Sequence, residues 1–135
     1  MAEIFVGEWG NPKFENFDAY LKEAGVNFVL RQLAKTVRDK TTITVDGNKM
    51  TLLSESTFKN FTTKFTLDVE EILETIDGRK FLTTFTIVDG KLVEYQKPIK
   101  PGSKGSTITR YVDGDKLIVE FECNGVKAIN TYFRL

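Results

Sequence analysis

The chain has 135 residues, a formal net charge of zero and a pI near 6.3, with 41% hydrophobic residues and eleven phenylalanines. That is the size of one domain with enough apolar material for a core, and the charge balance excludes a global basic field for nucleic acid. No apolar run approaches membrane-spanning length.

The opening segment, Met1 to Val6, lacks the basic stretch and apolar core of a secretory signal. A first strand is read over Ile4–Trp9, and Pro12, which removes a strand donor, is expected to end or bend it. Asn16 and Gly25 bracket a helix over Phe17–Ala24, as cap and stop. Asn27 caps a second helix over Phe28–Val37, where Val29, Leu33 and Val37 recur at helical spacing with Leu30 alongside. The Gly25-Val26-Asn27 link makes these a helix–turn–helix pair, too short and too balanced in charge to suit DNA.

Beyond residue 40 the chain reads as strands. Turn signals recur at Asp46-Gly47, Asp77-Gly78, Asp89-Gly90, Pro101-Gly102, Asp113-Gly114 and Asn124-Gly125. Asp-Gly and Asn-Gly suit the positive φ angles of tight hairpins. Between them lie Thr41–Val45, Lys64–Leu67, Phe81–Val88 and Leu117–Cys123, rich in Thr, Val, Ile and Phe. About ten short antiparallel strands are expected, which build an up-and-down barrel or a sandwich. Thr83, Phe85 and Ile87 alternate with Leu82, Thr84, Thr86 and Val88, so neither face is wholly apolar. A water-containing cavity tolerates that mixture better than a filled core, with a loosely patterned sandwich as the alternative.

Reactive chemistry is sparse. The chain has no histidine, phosphate loop or metal-ligand cluster, so no catalysis, cofactor or metal is expected. Glu70 and Glu71 are adjacent carboxylates with no cleft around them. The single cysteine, Cys123, forms no internal disulfide, suits a reducing compartment, and sits near Glu120 and Glu122, which oppose thiolate formation. Arg110 is the informative residue. Ser106, Ile108, Arg110 and Val112 share one strand face, and Ile108 and Val112 mark it as the inner one. An inward guanidinium stays charged and needs an anion or several acceptors. No carboxylate lies on its own strand face, so the anion is a ligand, for which a fatty acid carboxylate would fit, or an acid on a neighbouring strand. A bulge that turns Arg110 outward is the third possibility.

Several fragments, in this order and spacing, resemble the intracellular lipid-binding proteins, the cytosolic fatty-acid- and retinoid-binding family. They are Phe5-Val6-Gly7-Glu8-Trp9, Asn16-Phe17-Asp18-Ala19-Tyr20, and Gly25-Val26-Asn27-Phe28-Val29-Leu30-Arg31-Gln32. Ser56-Thr57-Phe58-Lys59-Asn60, Asp77-Gly78-Arg79-Lys80, Asp89-Gly90-Lys91-Leu92-Val93 and Thr131-Tyr132 follow, so the likeness covers essentially the whole chain. The resemblance implies a mainly β fold: a single ten-stranded antiparallel up-and-down β-barrel (β-clam) over residues 1–135, with a two-helix lid at about 16–37 between the first two strands. It implies a noncovalent carrier of long-chain fatty acids, monomeric and cytoplasmic, with nuclear delivery, retinoids or neutral lipids as alternatives. A secreted lipocalin fits less well, given the missing signal and the lone cysteine.

The family holds a carboxylate with two arginines and a tyrosine. Arg110 matches the first arginine and Tyr132 the tyrosine, while Asn130 stands where the second arginine is usual. Losing one arginine removes a charge-assisted bond of ~1.5–3 kcal/mol; Asn130 is expected to hold a water or the ligand's second oxygen. By resemblance Phe58 is a portal residue, and Phe17, Tyr20, Leu21, Val26 and Leu30 form the lid's underside. Ile108, Val119 and Phe121 are placed along the tail. Trp9 is expected to plug the closed end, Gly7 to permit a close backbone approach, and Asp77 and Arg79 to pair across a turn at little energetic gain. Lys22, Arg31 and Lys35 are expected to put cations on the lid's outer face, suited to anionic membranes or, by resemblance, to a nuclear-import patch that Gln32 interrupts, with a solvated helix face as the alternative.

Overall fold

The computed structural model describes residues 2–135. After a 3-10 turn over Ala2–Phe5 come β1 (Gly7–Glu15), α1 (Phe17–Glu23) and α2 (Phe28–Ala34). Then follow β2 (Lys40–Asp46), β3 (Lys49–Glu55), β4 (Phe61–Thr66), β5 (Glu71–Glu74) and β6 (Lys80–Val88). The remainder is β7 (Lys91–Pro98), β8 (Thr107–Asp113), β9 (Lys116–Cys123) and β10 (Val126–Arg134). Among the described residues the ten strands form one antiparallel sheet in the order β4-β3-β2-β1-β10-β9-β8-β7-β6-β5. Every neighbour but β1–β10 is joined by a connection between consecutive strands, and β1–β10 brings the chain ends together. The result is a nearly closed barrel with the helices inserted between β1 and β2. Its edges, β4 and β5, are not paired with one another; the stacked rings of Phe65 and Phe85, 3.5 Å apart, bridge β4 to β6 instead.

The turns follow from local chemistry. Asp89-Gly90 and Asn124-Gly125 both take positive φ at each central residue, as a type I′ hairpin requires. Asn27 accepts a hydrogen bond from the Leu30 amide at 2.9 Å, a true N-cap. Gly25, at φ 95°, lets its own amide reach the Lys22 carbonyl and the Val26 amide reach the Leu21 carbonyl, which is a Schellman stop.

Several expectations need correction. Ile4–Trp9 is not the first strand: Ala2–Phe5 coils so that Ala2 and Phe5 are buried, and the strand begins at Gly7. At Pro12 the second of the two expected outcomes holds: the register slips by one residue between Gly10 and Lys13, with Asn11 at φ 50°, and β1 bends and continues to Glu15. Asn16 sits at the N-cap of α1 but in the left-handed region, and its side chain donates to the Lys127 carbonyl instead of capping. Helix α2 stops at Ala34, short of Val37. Its face is also rotated: Val29 is 75% exposed, while Leu30 and Ala34 line the cavity and Leu33 borders it at 38% exposed. The strand read from Lys64 starts at Phe61.

The core fills the end of the barrel away from the lid. Trp9 is 0% exposed, packs with Phe5, Ile43, Leu92 and Leu117, and donates from Nε1 to the Phe5 carbonyl at 2.9 Å. The Arg134 guanidinium lies 4.0 Å from the Trp9 ring centroid and donates to the carbonyls of Val6 and Ile4. Gly7 makes room for that side chain, since a Cβ there would stand 2.6 Å from Arg134 Nη1; what approaches Gly7 is a guanidinium and not backbone. A smaller cluster docks α1: Phe17 and Tyr20 pack on Phe121 at 5.1 and 4.9 Å, and Tyr20 donates to Ser106 Oγ at 2.9 Å.

Candidate functional site

Alternation along the strands sends Thr83 and Phe85 of β6, Ile108 and Arg110 of β8, Val119 and Phe121 of β9, and Asn130 and Tyr132 of β10 to the same interior. The two helices cover its mouth. Between strands and helices lies a cavity of about 340 Å³, within the size range of small-molecule sites. Phe17, Tyr20, Leu21, Val26, Leu30 and Phe58 line it from the lid and portal, and Ile108, Val119 and Phe121 from the barrel wall. Most of this lining is apolar; two polar clusters lie on the inner wall, and the Asp77–Arg79 pair lies at the mouth.

The first cluster surrounds Arg110. Its Nη1 donates to Glu94 Oε1 at 2.8 Å, and both side chains are mostly buried, at 17% and 11% exposed. Glu94 also accepts from Gln96 Nε2 at 2.9 Å. The guanidinium further lies over the Phe85 ring, 5.8 Å from its centroid. Arg110 therefore does point inward, and an acid on the adjacent strand is paired with it. Breaking such a pair strands a mostly buried charge, at a cost of roughly 3–5 kcal/mol.

The second cluster surrounds Asp39. Tyr132 donates to Asp39 Oδ1 at 2.7 Å, while Ser54 and Thr41 donate to Oδ2 at 2.7 and 3.2 Å. Burial raises the Tyr132 pKa well above its ordinary value, and the Asp39 carboxylate raises it further, with Arg110 acting in the opposite direction. The phenol is thus a neutral donor whose proton is committed to Asp39. Arg110 and Tyr132 thus each have a carboxylate of their own in the wall, Glu94 and Asp39.

Asn130 stands between the clusters. It is 2% exposed, and its Oδ1 is buried without a hydrogen-bond partner among the described residues. An unsatisfied buried acceptor costs about 1–3 kcal/mol. Arg110, Val119 and Asn130 lie in one cross-strand row, Arg110 opposite Val119 and Val119 opposite Asn130.

At the mouth, Arg79 pairs with Asp77 at 2.6 Å and also donates to the Ala24 carbonyl at 3.0 Å. This pair ties the β5–β6 turn to the end of α1, more than the minor surface contact expected. Of the three lid cations, Lys22 and Lys35 are exposed. Arg31 is not free on the outer face: it pairs with Asp18 at 3.2 Å and donates to the Val26 carbonyl at 2.8 Å. Glu70 pairs with Lys97, and Cys123 is buried, which raises its thiol pKa. Among the described residues no acid, cysteine or histidine cluster could hold a metal ion, and no helix is long and apolar enough to cross a membrane.

Asp39, Glu94 and Gln96 escaped sequence reasoning. Glu94 and Gln96 share a period of two with buried Leu92, a signal that was present but masked by buried Val93. Asp39 precedes β2 in an irregular link and carries no periodic signal.

A family model described as the lipocalin / cytosolic fatty-acid binding protein family matches residues 6–135. Fatty acid-binding protein homolog 5 of Caenorhabditis elegans is 46% identical over 133 residues, covering 98% of each chain. Fatty acid-binding protein 9 of Homo sapiens is 37% identical over 132 residues, again 98% of each. Among solved structures, apo lipid binding protein 8 of Caenorhabditis elegans superposes with a TM-score of 0.95 at 27% identity, covering 100% of this chain and 98% of that one. A Schistosoma mansoni fatty acid binding protein in complex with arachidonic acid gives 0.89 at 37% identity, covering 97% and 96%.

Proposed function

Because the chain belongs to the lipocalin / cytosolic fatty-acid binding protein family, we propose that it is a cytosolic carrier of lipids with one long acyl chain, of the fatty acid class. The tail lies in the cavity against Phe17, Leu21, Ile108, Val119 and Phe121. The head lies among Arg110, Asn130 and Tyr132. The observation that carries this reading is the mainly apolar cavity of about 340 Å³ beneath the helices, with Arg110, Asn130 and Tyr132 together on its inner wall. Burial of a methylene is worth ~0.8 kcal/mol, so each one added tightens binding about fourfold until the cavity is full. The relatives are named as binding proteins, in keeping with a carrier.

The test is calorimetric titration of delipidated protein with acids and alcohols of increasing chain length. Affinity that climbs with length in either series supports the carrier reading. Affinity independent of length in both would refute it.

A second reading concerns delivery. Helix α2 exposes Phe28 at 63% and Val29 at 75%, and the helix pair carries Lys22 and Lys35. An apolar and basic face suits contact with anionic membranes. Transfer of a fluorescent lipid to anionic vesicles should slow several-fold in a Lys22→Glu, Lys35→Glu protein at unchanged affinity. Equal transfer rates would refute that reading.

A further inference from the structure

We propose that the cavity selects a head group that donates a hydrogen bond and carries no negative charge, such as a primary alcohol or primary amide, over an ionised carboxylate. This rests on the carrier reading and names its head-group chemistry.

The interior charge is the first reason. The cavity wall holds four acidic residues, Asp39, Glu74, Asp77 and Glu94, against two basic ones, Arg79 and Arg110. Both arginines already have a carboxylate partner, Asp77 and Glu94. An incoming carboxylate could engage Arg110 fully only by displacing Glu94. Glu94 would then be left in the wall with Gln96 as its remaining donor. The alternative places the ligand's charge beside Glu94 and Asp39, and like charges in a poorly solvated site repel strongly.

The orphaned acceptor is the second reason, and it is independent of the first. Asn130 is almost fully buried, lines the cavity, and offers an Oδ1 with no partner among the described residues. That atom needs a donor. An ionised carboxylate has none, whereas a hydroxyl or a primary amide does. Arg110 and Asn130 flank Val119 in one cross-strand row on the inner face, and the guanidinium has five N–H donors in all. A small head over Val119 can therefore donate to Asn130 while accepting from Arg110, without disturbing Glu94. Tyr132 does not compete for that head, because its proton is directed to Asp39.

The experiment uses the delipidated full chain and displacement of a fluorescent acyl probe. The competitors are one unsaturated eighteen-carbon tail presented as the alcohol, the primary amide and the acid, near neutral pH. The alcohol and amide should bind about tenfold more tightly than the acid, the scale of one ordinary hydrogen bond. Glu94→Gln removes the resident carboxylate and frees Arg110, and should shift the acid-to-alcohol affinity ratio about tenfold toward the acid. Asn130→Leu should erase the advantage of alcohol and amide. Should Asn130→Leu fail to fold, the wild-type preference and the Glu94→Gln protein still decide. Tighter binding of the acid by the wild-type protein overturns the proposal, and so does equal binding of all three. Either of those outcomes, with affinity still climbing with tail length, leaves the carrier reading intact; loss of length dependence refutes that reading instead.

Discussion

Replacing Arg79 with alanine should open the lid without weakening the site. Arg79 joins Asp77 of the β5–β6 turn at 2.6 Å, the carbonyl of Ala24 at the end of α1 at 3.0 Å, and the face of Phe81 at 5.3 Å. It fastens the end of α1 to the β5–β6 turn, alongside the bonds of Lys104 and Asn124 to Glu23. The bond from a charged donor to the Ala24 carbonyl contributes about 1.5–3 kcal/mol to the closed state. Its loss raises the open population roughly ten- to a hundredfold. Arg79 and Asp77 line the mouth of the cavity, and their hydrogen bonds join lid to rim as a latch, so the loss of those bonds acts alike on the empty and the loaded protein. Association and dissociation rates of a fluorescent acyl lipid, read by stopped flow, should therefore rise together while Kd stays nearly constant. The Asp77 carboxyl adds a check. Its burial favours the neutral form, yet hydrogen bonds from Arg79 and Thr75 outweigh this and hold its pKa below the ordinary 3.8. A lowered pKa stabilises the latch above that ordinary value, and the stabilisation is lost as pH falls through the lowered one. Wild-type exchange should approach the Arg79→Ala rate only at strongly acid pH. Unchanged rates in Arg79→Ala, or a change in Kd alone, would refute the latch.

Two further outcomes are expected. Burial of Tyr20, partly offset by its bond to Ser106, pushes its pKa to about 12. A raised pKa leaves stability whole below the unfolded value near 10 and removes about 3 kcal/mol as pH rises through 12. The wild-type urea midpoint should fall across that range more steeply than that of Tyr20→Phe; parallel curves would refute the assignment. Tyr132→Phe withdraws one of the three hydroxyl donors of Asp39, and should lower stability by about 1.5–3 kcal/mol with the denaturant slope unchanged. A variant as stable as the wild type would show that the phenol–carboxylate bond is not stabilising.

What the sequence determined by itself was local. Asp89-Gly90 and Asn124-Gly125 dictate tight hairpins because they relieve the steric cost of positive φ. Asn27 caps α2 and Gly25 stops α1 because each needs only partners within five residues. Alternation over Phe81–Val88 and Thr107–Asp113 sends Phe85, Ile108 and Arg110 inward whatever lies beside them. What only the tertiary structure decided was partnership. Glu94 meets Arg110 because the β7–β8 register sets Leu92 opposite Arg110 and Glu94 opposite Ile108. Asp39 meets Tyr132 across 93 residues because barrel closure lays β1, β2 and β10 side by side. The register of a closed sheet depends on every strand at once, and a one-residue slip would turn each of these side chains to the other face. No local pattern could therefore name the carboxylates beside Arg110 and Tyr132, nor foresee that Asn130 would be buried between them with its oxygen unpaired.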